Sequence, residues 1–301
     1  MRKILLTLLA LLALPAFAYG KLRVVSTLPD FAWLAEQVGG DFVQVKSLAR
    51  GSQDPHFVDP KPSYLVDLHR ADILLLDGMQ LEVGWLPPLL QQCGNGRIQP
   101  SAPGYVDLSQ FIKPIEVPVG GVDRSMGDIH PMGKPHYHLD PYNMALIAEG
   151  IGGAFGKLDA THAAQYAANA EKTAEAMRAL GAEVTAMLAP LKGEPVVTYH
   201  STLDYFFLRF GFDIVGYIEP KAGIKPSPSS LMELEQRMKE KKAKLIISEA
   251  YQDLKTARRV ADDTGAKLAV IPSYTGGAKG AETYPDLIRY IARSILEASS
   301  G

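Results

Sequence analysis

"DATHAAQYAANAEKTAEAMRALGAEVTAMLAP" (159–190) holds no proline before its last residue and is rich in alanine throughout. Tyr166, Ala170, Thr173, Met177, Leu180, Val184 and Met187 recur in it at spacings of three and four, which places them on one helix face. With Asp159 as N-cap and Pro190 as stop, roughly 30 residues rising ~1.5 Å each give a helix about 45 Å long. A helix of that length can cross a whole molecule, so the fold turns on what lies on either side of it.

Both sides read as alternating strands and helices. Before the helix, the β-rich runs "LRVVSTL" (22–28), "FVQVKSLA" (42–49) and "DILLLDG" (72–78) alternate with helical patterns in "DFAWLAEQVGG", "KPSYLVDLHRA" and "EVGWLPPLLQQCG". After it come "EPVVTYH" (194–200), "DIVGYI" (213–218), "KLIISEA" (244–250) and "KLAVIPS" (267–273). Helical patterns here are "TLDYFFLRFGF", "SPSSLMELEQRMKEKKA", "KTARRVADDTG" and "ETYPDLIRYIARSILEA". Such βαβ series imply parallel sheets. The expected fold is therefore α/β: two Rossmann-like lobes with mostly parallel sheets, residues 19–156 and 192–301, joined by one long backbone helix at 157–191.

The first residues set the compartment. A short basic start, the apolar run "ILLTLLALLALPAF" and the small residues "AFA" at 16–18 have the composition of a secretory signal peptide over 1–18, and no cysteine follows to accept a lipid. The expected location is the periplasm. The sole cysteine, Cys93, has no partner for an internal disulfide and reads as a small buried residue. Without residues 1–18 the chain carries 29 basic and 33 acidic side chains, a formal charge of −4. That balance argues against nucleic acid and anionic membrane as partners. The remaining length suffices for two domains with separate cores.

Histidine carries the chemistry. "GKPHYHLDP" (133–141) closes with Asp140 and Pro141, an N-cap followed by proline in a first helical turn, and His130, His136 and His138 fall within nine residues. His56 lies in the loop after the second strand, and His200 stands where the first strand of the second lobe meets its helix. Ligands of α/β sheets bind at such carboxyl ends, so separate loops can bring imidazoles from both lobes to one interlobe cleft. Neutral imidazole is a good ligand for zinc and its neighbours. Residues two apart in extended chain face the same way, which leaves His136 and His138 both open as ligands. His69, on a helix, and His162, in the first turn of the long helix, read as surface residues. His130 shares a Gly- and Pro-rich loop with Asp128 and reads as solvated; Val119–Lys134 as a whole has the composition of a mobile loop.

These pieces together resemble the periplasmic solute-binding proteins of zinc and manganese ABC importers, the metal-binding cluster A-I type. "DPHFVDPKPS" is similar to the family's Asp-Pro-His segment, "KPHYHLDP" to its Pro-His-x-Trp-Leu-Asp-Pro, and "YHSTLDYFFLRFGF" to its second-lobe His segment. The Ala-rich helix corresponds to its interlobe helix. Position by position, the resemblance implies His56, His136 and His200 as metal ligands. His138 falls where the family has Trp and becomes a cleft wall or a group behind the ligands. The family's late carboxylate is missing from "IPSYTGGAKGAETY", where Tyr274 stands near its place. Glu249, matching a family glutamate at a strand end, is then the expected fourth ligand or the holder of a water there.

The resemblance also implies the role: capture of Zn2+ and delivery to an inner-membrane ABC permease, by a monomer with no catalytic activity, supplied in some settings by a periplasmic metallochaperone. Three imidazoles suit zinc, whereas manganese prefers carboxylate oxygen. Three rivals stand beside this reading. One is a manganese-binding member of the same family, and another is a structural or adhesive protein whose zinc merely clamps the lobes. The third is an extracytoplasmic zinc hydrolase, which needs a general base beside an open zinc position; neither an HExxH string nor a paired-carboxylate motif is present.

Overall fold

The computed structural model describes residues 20–118, 130–219 and 223–300; the expected signal peptide, and the expected mobile loop from 119 as far as 129, lie outside the described residues. The first lobe runs β1 (Leu22–Ser26), α1 (Pro29–Gly39), β2 (Val43–Ser47), α2 (Pro62–Arg70), β3 (Ile73–Leu76), α3 (Leu86–Gln92) and β4 (Tyr105–Asp107). Next come α4 (Pro141–Leu158) and α5 (Ala163–Leu188). The second lobe runs β5 (Pro195–Thr198), α6 (Asp204–Phe210), β6 (Asp213–Tyr217), α7 (Pro228–Lys241), β7 (Leu245–Glu249), α8 (Leu254–Thr264), β8 (Lys267–Ile271) and α9 (Tyr284–Ser300).

Each lobe is built on a four-stranded parallel sheet, ordered β2-β1-β3-β4 and β6-β5-β7-β8. The strands that read as unbroken apolar runs are the inner ones: Ile73–Leu76 is buried at every position, as a parallel strand covered on both faces must be. In each sheet the order reverses at the first strand, β1 or β5. The loops that leave the carboxyl ends around it face the cleft.

The long helix is shorter than its sequence suggests. Leu158 ends α4, a 3-10 turn covers Ala160–His162, and α5 itself has 26 residues. Asp159 spends its side chain on the turn, its Oδ2 accepting from Nδ1 of His162 (2.7 Å) and from the hydroxyl of Tyr166 (2.8 Å). The buried face of α5 is the expected one from Tyr166 to Val184, ending on Leu188 with Met187 half-buried. It packs on α1 and α4 on one side and on α6 and α9 on the other, so it touches elements of both lobes.

The lobes do not have separate cores. Among the described residues, one continuous cluster of buried side chains extends from Val24 through Ile147 and Met177 to Ile295, and a smaller cluster around Val197, Leu234 and Ile246 stands apart in the second lobe. Close approach of backbone seals the junction. A Cβ at Gly51 would lie 2.2 Å from the carbonyl oxygen of Thr275, and one at Gly277 would lie 2.6 Å from the carbonyl oxygen of Gly51. Beside that contact, buried Asp30 at the start of α1 accepts from the amide (3.1 Å) and hydroxyl (2.8 Å) of Thr275.

Candidate metal centre

Three imidazoles meet where the carboxyl ends of the two sheets face one another. His56 comes from the long loop after β2, His136 from the residue before a 3-10 turn at Tyr137–Leu139, and His200 from the turn between β5 and α6. One ring nitrogen of each lies within 4.8 Å of those of the other two. The ring planes are steeply inclined, with centroids 5.2 Å (His56 and His136), 5.8 Å (His136 and His200) and 5.9 Å (His56 and His200) apart.

Neighbouring groups orient the rings of His56 and His136. Asp54, two residues before His56, accepts from its amide (3.0 Å) and from its Nδ1 (2.8 Å), an Asx turn that leaves Nε2 facing the cluster. Burial alone would raise the Asp54 carboxyl, but the hydrogen bond and charge of His56 outweigh it and hold the group below its ordinary value. His136 is 1% exposed; its Nδ1 lies 3.3 Å from the Tyr274 hydroxyl, and its buried Nε2 has no hydrogen-bond partner. Asp140 holds the segment by capping α4 through the Tyr142 amide (2.9 Å) and by pairing with Arg209 of the second lobe (2.7 Å).

The electrostatics suit a cation. Burial, then the neighbouring His56 and His200, push His136 well below the usual imidazole value. Burial and His56 likewise lower His200 to about 3 against the opposing pull of Asp54. At neutral pH both rings therefore carry an uncharged, metal-competent nitrogen without competition from protons. A cavity of about 110 Å3 lined by Asp54, His56, Phe57, His200, Tyr251 and Gln252 opens beside the trio.

The other residues singled out by sequence take different places. His138 is fully buried outside the trio; its Nε2 donates to the carbonyl of Ser273 (3.1 Å), its ring stacks on Tyr274 (4.8 Å), and its carbonyl accepts from Tyr284 (2.6 Å). It is a wall that joins the lobes. Glu249, at the end of β7, is also fully buried and outside the trio, and burial raises its carboxyl to about 7 despite the Thr202 hydroxyl. Of the two surface histidines, His69 bonds the carbonyl of Cys93 (2.8 Å) and His162 stacks on Phe42 (4.0 Å). Sequence reasoning missed Asp54, although its position two before His56 is the Asx-turn signal. It also assigned His130 to solvent, whereas His130 is half-buried with its Nε2 3.3 Å from Nε2 of His56.

The family model of the zinc-uptake complex component A, periplasmic (ZnuA), matches residues 24–298. The chain belongs to this family.

Within the ZnuA family, the high-affinity zinc uptake system protein ZnuA of Brucella suis is 33% identical over 166 residues, 55% of this chain and 50% of that protein. The chain thus spans about half the length of the Brucella relatives it matches. ZnuA of Paracoccus denitrificans is 25% identical over 319 residues, 95% of this chain and 94% of that protein. The iron-binding protein YfeA of Yersinia pestis is 27% identical over 290 residues, 94% of this chain and 88% of that protein. Among solved structures, a crystal structure of ZnuA has a TM-score of 0.74 at 23% identity, covering 92% of this chain and 99% of its own. A zinc-bound ZnuA deletion mutant has a TM-score of 0.77 at 24% identity, covering 93% and 99%. These likenesses establish the fold; that relatives are named for zinc and for iron leaves the metal to the donor set.

Proposed function

We propose that this chain is the periplasmic component of a zinc importer, binding Zn2+ through His56, His136 and His200 and delivering it to an inner-membrane ABC permease. The observation that carries the reading is the convergence, within 4.8 Å, of three imidazoles drawn from both lobes. An all-nitrogen trio favours zinc, copper and nickel over manganese, and availability excludes the first-row rivals of higher affinity. The ZnuA relatives, named for high-affinity zinc uptake, support zinc.

The same reading makes the chain a monomeric carrier, not a hydrolase. Two carboxylates line the cavity beside the trio, Asp54 and Glu219, and Asp54 is committed to His56, which suits a positioning group better than a general base. It divides the chain into a signal peptide at 1–18, a lobe at 19–156, a joining helix at 157–191 and a second lobe at 192–301. A periplasmic metallochaperone fits as a supplier of the metal.

The test is metal analysis of the purified mature protein after chelation and reloading with equimolar zinc, manganese, iron, copper and nickel. Zinc retained at one equivalent supports the proposal, and a preference for manganese or iron over zinc removes it.

A further inference from the structure

The backbone that carries His136 is gripped on both sides by one helix of the other lobe. Two facing residues of an antiparallel pair exchange two backbone bonds. Ile115 and Lys134 make one of them directly, the Lys134 amide donating to the Ile115 carbonyl (3.1 Å). The hydroxyl of Tyr205, a buried residue of α6, stands in the path of the other: it accepts from the Ile115 amide (3.1 Å) and donates to the Lys134 carbonyl (3.1 Å). Nζ of Lys134 also pairs with buried Asp204, whose Oδ2 accepts from the Tyr217 hydroxyl (3.0 Å). Four residues beyond Tyr205, and so on the same face of α6, Arg209 donates through Nε to Asp140 (2.8 Å) and lies over the ring of Tyr142 (4.6 Å). His136 stands between these two anchors, and α6 begins one 3-10 turn after His200.

Resting on the zinc reading above, we infer that Tyr205 and Arg209 are positioning residues for metal binding, which fix His136 to the helix that follows His200. By chain order His136 precedes the joining helix; by its anchors it is set from the second lobe. Both residues act on the metal through the placement of His136. Without the Tyr205 hydroxyl, the Ile115 amide and the Lys134 carbonyl lose a partner and are free to close on each other at ~2.9 Å, the ordinary length of a backbone bond. That closure draws the segment toward Ile115 and away from α6, and the approach of the His136 and His200 donor atoms, now within 4.8 Å, is lost. Zinc takes its nitrogen ligands at ~2.0–2.1 Å, so a ligand displaced in this way binds poorly. Loss of Arg209 frees the other end of the segment and leaves the Asp140 carboxylate without its cation.

Zinc affinity by chelator competition, cobalt spectra and melting temperatures with and without zinc test this in Tyr205→Phe, Arg209→Met and Arg209→Lys. Tyr205→Phe and Arg209→Met each weaken zinc binding roughly 10-fold and alter the cobalt spectrum, while Arg209→Lys, which keeps a cation for Asp140, retains most of the affinity. Because the effect passes through His136, Tyr205→Phe costs nothing further in a His136→Ala background and costs its full amount in a His56→Ala background. A purely structural role lowers the melting temperatures of the metal-free and zinc-loaded forms alike and leaves affinity and cobalt spectrum as in the wild type. That result overturns the inference, and so does a loss of affinity that adds in full to that of His136→Ala. If Tyr205→Phe does not fold, the two Arg209 variants decide by the same criteria. A wild type that fails to retain zinc at all instead overturns the proposed function.

Discussion

The Asp54 carboxylate and Nδ1 of His56 are 2.8 Å apart, so one acid orients the imidazole and places negative charge one ring away from the metal position. Asp54→Ala should weaken zinc binding roughly 10- to 100-fold, as loss of such orienting partners does. Asp54→Asn, which keeps an accepting oxygen, should weaken it less. Competition with a chromophoric chelator measures both, and wild-type affinity in Asp54→Ala would show the hydrogen bond to be dispensable.

His56→Ala, His136→Ala and His200→Ala should each cost several kcal/mol of the ~10–16 typical of structural zinc, whereas His69→Ala and His162→Ala should leave affinity unchanged. The contrast follows from the trio's mutual approach and from the unrelated partners of the other two, the Cys93 carbonyl and the Phe42 ring. Isothermal or competition titration of the five variants decides it, and one full-affinity variant among the first three removes that residue from the site.

Burial lowers His138 to about 4, its bond to the Ser273 carbonyl opposing. The unfolded ring takes a proton below ~6.5 while the folded one does not, so stability is present above that pH and is lost as pH falls from about 6.5 toward about 4. Between pH 7 and 5 this one group should cost the metal-free protein about 2 kcal/mol. His138→Phe should abolish that share of the loss while lowering stability at pH 7, where the Ser273 carbonyl loses its donor. Urea titrations at the two pH values measure the difference, and an equal acid loss in variant and wild type would contradict it.

Lys134 pairs across the lobes with Asp204, which is fully buried, and with Glu116 at 2.8 Å. Burial raises Asp204 to about 6, the Lys134 charge opposing. Lys134→Met should therefore destabilise by about 3 kcal/mol through the stranded acid, and Lys134→Met with Asp204→Asn should recover part of that loss. Denaturation of the single and double variants provides the cycle; a double variant less stable than either single would show that the pair is not the source.

Much of this was legible in the sequence, for identifiable reasons. Of the eight strands among the described residues, seven fall where β-rich runs stand between helical patterns, and β4 escaped because Tyr105–Asp107 is too short to show a pattern. His56 and His200 were legible because loops that follow parallel strands share one face. His130 was not, since its meeting with His56 joins positions 74 apart through the left-handed turn at Met79, which no local spacing announces. Tyr274 was expected near the place of an acid; that its hydroxyl faces Nδ1 of His136, 138 positions away, depends on the docking of the lobes.

The continuous core has a consequence for how the chain unfolds. Because buried residues run without a break from Val24 to Ile295, and the backbones of Gly51 and Gly277 meet directly, neither lobe can melt while the other keeps its buried surface covered. Denaturation should be a single cooperative transition, with no state in which one half is folded and the other is a coil. A fragment ending after α5 would leave the apolar side that α9 covers open to water. A chain still being synthesised is in the same position, and stays vulnerable to proteases until α9 is added.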